Sequence, residues 1–431
     1  MITTAPTSTK RVVYLRCISC GHEPELWQIA PQCEECGGLL EVARDLSRYD
    51  AASLRADWEA RRGGLAARDR SGVWRFREMV APLEPEDMVA RGEGNTGLYA
   101  APGLADWAGV GDLRLKHEGE NPTGSFKDRG MTAGVSVARR LGVGTVACAS
   151  TGNTSASLAS YAAMAGMSCV VLVPRGKTSA AKLGQAVAYG AKTLSIRGDF
   201  DLALALLQKL APELGLYVLN SVNPWRLEGQ KTIMLETLEA LAWEAPDWIA
   251  LPGGNLGNTS AFSKALVEMK ELGLIDRLPR IAVTQAEGAA PFAAAYAAGW
   301  SVLRPVEAET IATAIRIGDP VNYPKASAGV RALDGVVTTV SDSEIMDAKA
   351  LVDRMGVGCE PSSAAGIAGI RKLRAAGIIE KEASVVAVLT GHLLKDPDAT
   401  WAYHTGSNPH ANPLAAVDAD ERSIRAAMEV L

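Results

Sequence analysis

A lysine attacks a carbonyl only as a free amine, and one stretch of this sequence favours that form. In Asn121-Pro122-Thr123-Gly124-Ser125-Phe126-Lys127-Asp128-Arg129-Gly130, Pro122 and Gly124 make a turn, and Ser125 is a natural N-cap for the apolar-periodic segment that follows. Lys127 then falls in the first helical turn, where unpaired amides and the helix dipole oppose a second positive charge. Such a setting lowers an ammonium pKa and makes the amine nucleophilic. Taken alone, the pattern describes an exposed surface lysine equally well. Three further loops change the balance.

Leu251-Pro252-Gly253-Gly254-Asn255-Leu256-Gly257-Asn258-Thr259 follows an apolar run directly and opens a helix. Glycines there let successive amides converge on an anion, and the helix N-terminus adds its dipole. Residues Gly254, Asn255, Leu256, Gly257 and Asn258 thus read as a phosphate cradle, without the lysine of a P-loop and without the full dinucleotide fingerprint. Ser150-Thr151-Gly152-Asn153-Thr154 also joins a strand to a helix; its hydroxyls and amides suit a carboxylate, and Asn153 suits a phenolic oxygen. A plain N-cap box is the alternative. Thr390, leaving the apolar run Val385-Val386-Ala387-Val388-Leu389, offers a hydroxyl to a heteroaromatic nitrogen, or else caps a turn. Amine, phosphate cradle, amide and hydroxyl match the aldehyde, phosphate, ring oxygen and ring nitrogen of pyridoxal 5′-phosphate.

Positioning these loops requires an α/β scaffold. Short apolar strands alternate with helices of about a dozen residues between Thr123 and Asp201 and again between Gln230 and Ala402, which predicts parallel sheets covered on both faces. Such sheets bind ligands at the C-terminal ends of their strands. The expected organisation is a ribbon over residues 10–45, a large domain built from 46–131 and 223–405, a smaller domain over 132–222, and a tail helix within 406–431.

The ribbon reading comes from Cys17-x-x-Cys20 and, twelve residues later, Cys33-x-x-Cys36, with Gly21 after one pair and Gly37-Gly38 after the other. Two such knuckles set four thiolates around one zinc ion, a closed structural site. Two disulfides or a redox pair are the alternatives. Cys148, Cys169 and Cys359 lie in apolar surroundings and read as inert core residues. A formal charge of −5 gives no broad attraction to nucleic acid or an anionic membrane, and no apolar run reaches the length of a membrane span. The first ten residues carry no signal-peptide core, so a cytoplasmic enzyme is expected.

The wording and order of the loops resemble fold-type-II pyridoxal-phosphate enzymes, the threonine synthase family in particular. The resemblance covers about Cys17 to Ala402. It rests on Gly92-Glu93-Gly94-Asn95-Thr96, on the lysine and asparagine loops, and on Asn220-Ser221-Val222-Asn223-Pro224-Trp225-Arg226-Leu227-Glu228-Gly229-Gln230-Lys231-Thr232. Ala312-Thr313-Ala314-Ile315-Arg316-Ile317-Gly318 and Thr390-Gly391-His392 complete it. It implies a fold of the tryptophan-synthase-β kind, two three-layer parallel-sheet domains plus the ribbon, and a homodimer. It also implies that Lys127 bears the cofactor, with Asn153 on the ring oxygen, Gly254 to Asn258 on the phosphate and Thr390 on the ring nitrogen. The phosphorylated amino-acid substrate is expected at Lys116, Ser150, Thr151, Thr154, Asn220, Ser221 and Arg226, with Asn255 nearby. A planar guanidinium at Arg226 suits a phosphate dianion, the alternative being a salt bridge to Glu228.

The implied reaction turns O-phospho-L-homoserine and water into L-threonine and phosphate. A β-replacement on O-phosphoserine of the cysteate-synthase kind would use the same groups, whereas a serine or threonine dehydratase would have little use for Arg226. A non-catalytic protein whose ribbon contacts nucleic acid is disfavoured by the acidic balance. Gly97, Ala290, Asp319 and Leu393 depart from the usual residues of the family, and Leu393 bears most directly on pocket shape.

Overall fold

The computed structural model describes residues 11–428 except 151, 176–179, 199 and 301. Thr151 therefore lies outside the described residues. Among the described residues, twelve strands form three sheets. β1 (Val13–Cys17) and β2 (Leu40–Arg44) pair antiparallel as the ribbon. The large sheet uses β3 (Leu98–Ala100), β4 (Asp112–His117), β9 (Trp248–Pro252), β10 (Arg280–Ala286), β11 (Val336–Val340) and β12 (Ser384–Leu389), in the order β11-β10-β9-β12-β4-β3. All its pairings are parallel except β3 with β4 at the edge. The small sheet, β5 (Thr145–Ala149), β6 (Ser168–Pro174), β7 (Lys192–Ile196) and β8 (Leu216–Val218), is parallel throughout, in the order β7-β6-β5-β8. The edge strand β3 and the three-residue β8 are not among the strands expected from the sequence.

Strand order explains where the site forms. β9 is buried at every residue and β12 at nearly every one, as expected where helices cover both faces. Because β12 inserts between β9 and β4, the loops leaving the C-terminal ends of β4, β12 and β9 are neighbours. Those loops carry Lys127, Thr390 and the glycine cradle. β5 and β8, also adjacent, send the asparagine loop and Asn220 out of the small sheet. A ligand crevice belongs at such a point, where the chain changes direction across the sheet.

Two helices bring the halves together. The lysine helix (Lys127–Arg140) and the arginine helix (Pro224–Ala240) are both buried along most of their length. They approach closely because both carry glycine at the contact. A Cβ on Gly229 would lie 1.9 Å from the carbonyl oxygen of Arg129, and one on Gly130 would lie 3.1 Å from the carbonyl oxygen of Arg226. Beside this crossing, Arg129 forks onto Glu118 through Nε and Nη2, both at 2.7 Å, and reaches Glu236 through Nη2 at 2.9 Å. The amides of Asn95 and Thr96 donate to the same Glu236, so the Gly92–Thr96 loop folds around a buried carboxylate.

The ribbon docks on the arginine helix. Trp27 stacks on Trp225 with ring centroids 5.3 Å apart, and Arg44 pairs with Glu228 in full burial. The sulfurs of Cys17, Cys20, Cys33 and Cys36 all lie within 4.8 Å of one another, the arrangement a tetrahedral zinc site needs. The C-terminal helix (Glu421–Met428) has no buried residue. Among the described residues, no helix is long and apolar enough to cross a membrane.

Candidate active site

A cleft of about 1620 Å³ opens between the two sheets and is lined by Lys127, Asn153, Gly254, Asn258, Glu360 and Thr390 among others. Its first wall is the lysine loop. The Phe126 amide donates to the Thr390 carbonyl at 3.0 Å, and the His392 amide donates to the Gly124 carbonyl at 2.9 Å. This two-bond bridge fastens the loop to the end of β12. It also corrects the expected cap. Phe126, not Ser125, occupies the N-cap position, with no side-chain cap bond. Ser125 is drawn into the bridge with Gly391, fully buried, and its hydroxyl has no protein partner. Asp128 closes the turn instead, accepting from the Thr123 amide at 2.7 Å, the Thr123 hydroxyl at 2.5 Å and the Ser157 hydroxyl at 2.5 Å. Burial pushes the Asp128 carboxyl up to about 6 despite these donors.

Lys127 is half-buried, its Nζ 4.0 Å from the Phe126 ring centroid. Its pKa falls to about 7, through burial first and the charge of Arg226 second, while the Glu360 carboxylate opposes the shift. The amine is therefore substantially free near neutrality, as a carbonyl-binding lysine requires.

Thr390 Oγ1 lies 3.0 Å from Ser363 Oγ and donates to Glu360 at 3.3 Å. Asn153 opens its helix (Asn153–Met164) from the opposite half and donates through Nδ2 to the other oxygen of Glu360 at 2.9 Å. Glu360 itself escaped the sequence reading, where it passes for a helix start before Pro361. The glycine loop after β9 opens on the same cleft. Leu256 takes a left-handed conformation (φ 62°, ψ 14°) at the N-cap of the helix Gly257–Glu271, turning the chain so that the helix opens on the cleft. A buried leucine held there costs about 1 kcal/mol or more, the kind of strain found at binding loops. Asn255 also lines the cleft, its Oδ1 accepting from the Val321 amide at 3.2 Å.

The expected substrate residues divide. Ser150, Thr154, Asn220 and Ser221 line the cleft. The Asn220 amide is already committed in both directions to the backbone of Ala149, at 3.0 and 2.9 Å, so it braces the end of β5. Lys116 is a correction. Its amine is buried against Glu236 and the Thr96 carbonyl, away from the cleft, because β4 turns that side chain toward the Arg129 cluster. Arg226 is fully buried and does not line the cleft; Nη1 donates to the Leu219 carbonyl at 2.9 Å, and Nε and Nη2 have no protein partner. Burial brings its pKa down to about 10. Glu228 is not its mate, being taken by Arg44, Lys231 and Lys264. An unpaired buried guanidinium is costly, and an anion would relieve it.

Unpartnered buried polar atoms gather around this cleft: His117 Nδ1, Ser125 Oγ, Gln230 Oε1, Asn258 Oδ1 and Ser362 Oγ. Such atoms usually mark a bound polar molecule or water. Together with the Lys127 amine, the helix N-terminus at Gly257 and the Thr390 hydroxyl, they fit pyridoxal 5′-phosphate.

Among protein families, the one described as pyridoxal-phosphate dependent enzyme matches residues 89–391. The threonine synthase of Methanosarcina acetivorans is 47% identical over 386 residues, covering 89% of this chain and 92% of that protein. The chain belongs to the threonine synthase family of pyridoxal-phosphate dependent enzymes. A second threonine synthase, from Methanocaldococcus jannaschii, is 46% identical over 89% of this chain and 93% of its own length. Threonine synthase 2, chloroplastic, of Arabidopsis thaliana is 40% identical over 92% of this chain and 80% of that one. The crystal structure of Escherichia coli threonine synthase shares the fold over 97% of this chain and 99% of that chain, with a TM-score of 0.69 at 20% identity. Two of the departures from family wording have visible local settings. The Gly97 amide donates to Glu120 at 2.6 Å, a bond proline cannot make, and a Cβ there would lie 2.4 Å from the Tyr99 ring. Leu393 packs over Gly358.

Proposed function

We propose that this chain converts O-phospho-L-homoserine and water into L-threonine and phosphate. The observation that carries the reading is a cleft-lining lysine that titrates near neutrality, with a buried arginine lacking a counter-ion behind the cleft wall. In this reading Lys127 holds the cofactor aldehyde, and Gly254, Asn255, Leu256, Gly257 and Asn258 hold its phosphate. Asn153 meets the ring oxygen and Thr390 the ring nitrogen. Glu360, bonded to both, orients them. When bound, the cofactor withdraws electrons from the substrate Cα and so makes protons at Cα and Cβ removable.

The remaining work belongs to protein groups. Lys127, as a free amine, takes the proton from Cα, and as an ammonium it returns one later. Arg226 meets the ester phosphate as it leaves Cγ, its two idle N–H groups suited to a bidentate grip. Ser150, Thr154 and Ser221 complete the anion contacts, with Asn220 bracing the end of β5 beside them. Closure of the two sheets over the substrate keeps bulk water out until one water adds at Cβ. Arg226 has no cleft-facing surface, so its contact with substrate requires the wall to shift, and closure supplies that motion. The four-cysteine ribbon holds one structural zinc, in a reducing setting such as the cytoplasm. The uncovered C-terminal helix, with Ile424 and Met428 exposed, supports a homodimer, which the mass in solution tests.

The deciding experiment supplies cofactor-loaded protein with O-phosphohomoserine and identifies the product. Threonine and phosphate in equal amounts support the reading. Turnover of O-phosphoserine with sulfite instead, or deamination of serine or threonine, replaces it.

A further inference from the structure

We propose that Lys395 is a substrate-binding residue of this cleft and takes the substrate's phosphate group. The inference rests on the phosphorylated substrate of the preceding reading. Lys395 ends the short turn Leu393–Lys395 that follows β12, half-buried and lining the cleft. Its stem lies across Gly124, where an added Cβ would meet Lys395 Cε at 2.9 Å, so it rests on the turn that precedes Lys127. Its amine crosses the mouth of the cleft to Gln185 Oε1, on the helix Ala180–Ala188 of the small-sheet half. Among the described residues no carboxylate forms an ion pair with it. Glu360 and Asp128 act on it only from a distance, against a burial that lowers its pKa.

Charge accounting in the cleft singles this amine out. Lys127 is committed to the cofactor. Arg316 already lies 3.4 Å from Glu309, and Arg226 has no cleft-facing surface in this form. Among the described residues, a substrate with a phosphate dianion and a carboxylate therefore meets one uncommitted ammonium in the cleft lining. That ammonium has three donors and a single neutral acceptor. A partly buried cation held by an amide oxygen alone gains strongly when an anion replaces it. The carboxylate is better served by the neutral amides at the start of the asparagine helix, and the dianion by the full charge. On arrival the phosphate displaces Gln185 from Lys395 and is then gripped from both halves of the protein.

Three variants of the cofactor-loaded protein test this: Lys395→Met, Lys395→Arg and Gln185→Ala. The readouts are competitive inhibition by inorganic phosphate, KM against kcat for O-phosphohomoserine, and spectral titration with unphosphorylated L-homoserine. Lys395→Met is expected to weaken phosphate inhibition and raise KM by ~10–100-fold. Its kcat and its affinity for homoserine stay within a few-fold, and Lys395→Arg recovers most of the loss. Gln185→Ala, which frees the amine, leaves phosphate inhibition unchanged or tighter. The proposal is overturned if Lys395→Met leaves phosphate inhibition within about twofold, or if Gln185→Ala reproduces its loss, which makes the pair a clasp only. Equal weakening of homoserine overturns it too, since the contact is then to the carboxylate. The parent protein in the same assay reports separately on the reaction, so a parent that makes no threonine refutes the preceding reading instead.

Discussion

Titration of Lys127 offers the sharpest check on the site. An ordinary lysine titrates near 10.5, and burial with the neighbouring Arg226 brings this one to about 7. At pH 7.5 an amine of the ordinary kind is about 0.1% free base, whereas one titrating near 7 is about three-quarters free base, a gain of several-hundred-fold in reactive amine. Two substitutions should move the midpoint in opposite directions. Arg226→Met removes a cation that disfavours the ammonium and raises it; Glu360→Gln removes an anion that favours the ammonium and lowers it further. Each step is expected to be roughly one pH unit. Cofactor-free protein is treated with a neutral amine-selective reagent from about pH 5.5 to about pH 10, and modification of the Lys127 peptide is followed by mass spectrometry. Linkage adds a second signature. An unfolded lysine binds more protons than the folded one between about 7 and 10.5, so this group makes the fold more stable as pH rises through that window. Lys127→Met should flatten that rise. A midpoint above about 9.5, or shifts of the same sign in both variants, would refute the argument from burial and charge.

Other consequences are checked more simply. Gly229→Ala drives a methyl group into the Arg129 carbonyl and should cost at least about 2 kcal/mol, read as a lower urea midpoint. Thr390→Val should leave the cofactor bound, with its visible absorbance retained, while kcat falls ~10-fold or more through loss of the hydroxyl at the ring nitrogen. Chelation, or Cys36→Ser, should release one zinc per chain, lower the thermal midpoint and alter Trp27 emission as the ribbon loosens on Trp225.

Much of this cleft is legible in the chain because each of its lining loops follows its own strand and can be read locally. Lys127, Asn153, the Gly254–Asn258 cradle and Thr390 all announce themselves by residue type beside an apolar run. Long-range partners do not. Lys116 looks like a cation beside the lysine loop until β4 turns it onto Glu236, 120 residues away. Arg226 and Glu228 look like a pair in the sequence, yet positions two apart on a helix face different ways, and Glu228 goes to Arg44 of the ribbon. Glu360 is hidden by its setting, since an acidic residue before proline ordinarily signals only a helix start. The antiparallel edge β3 and the brief β8 lack the periodicity that would reveal them.

The bridge between Gly124–Phe126 and Thr390–His392 settles which parts travel together. It ties Lys127 and Thr390 to the large sheet, whereas Asn153 comes from the small one. In the proposed reading, a coenzyme held at Lys127 and Thr390 would stay with the larger half if the halves part, and only its contact with Asn153 would be broken and remade at each turnover.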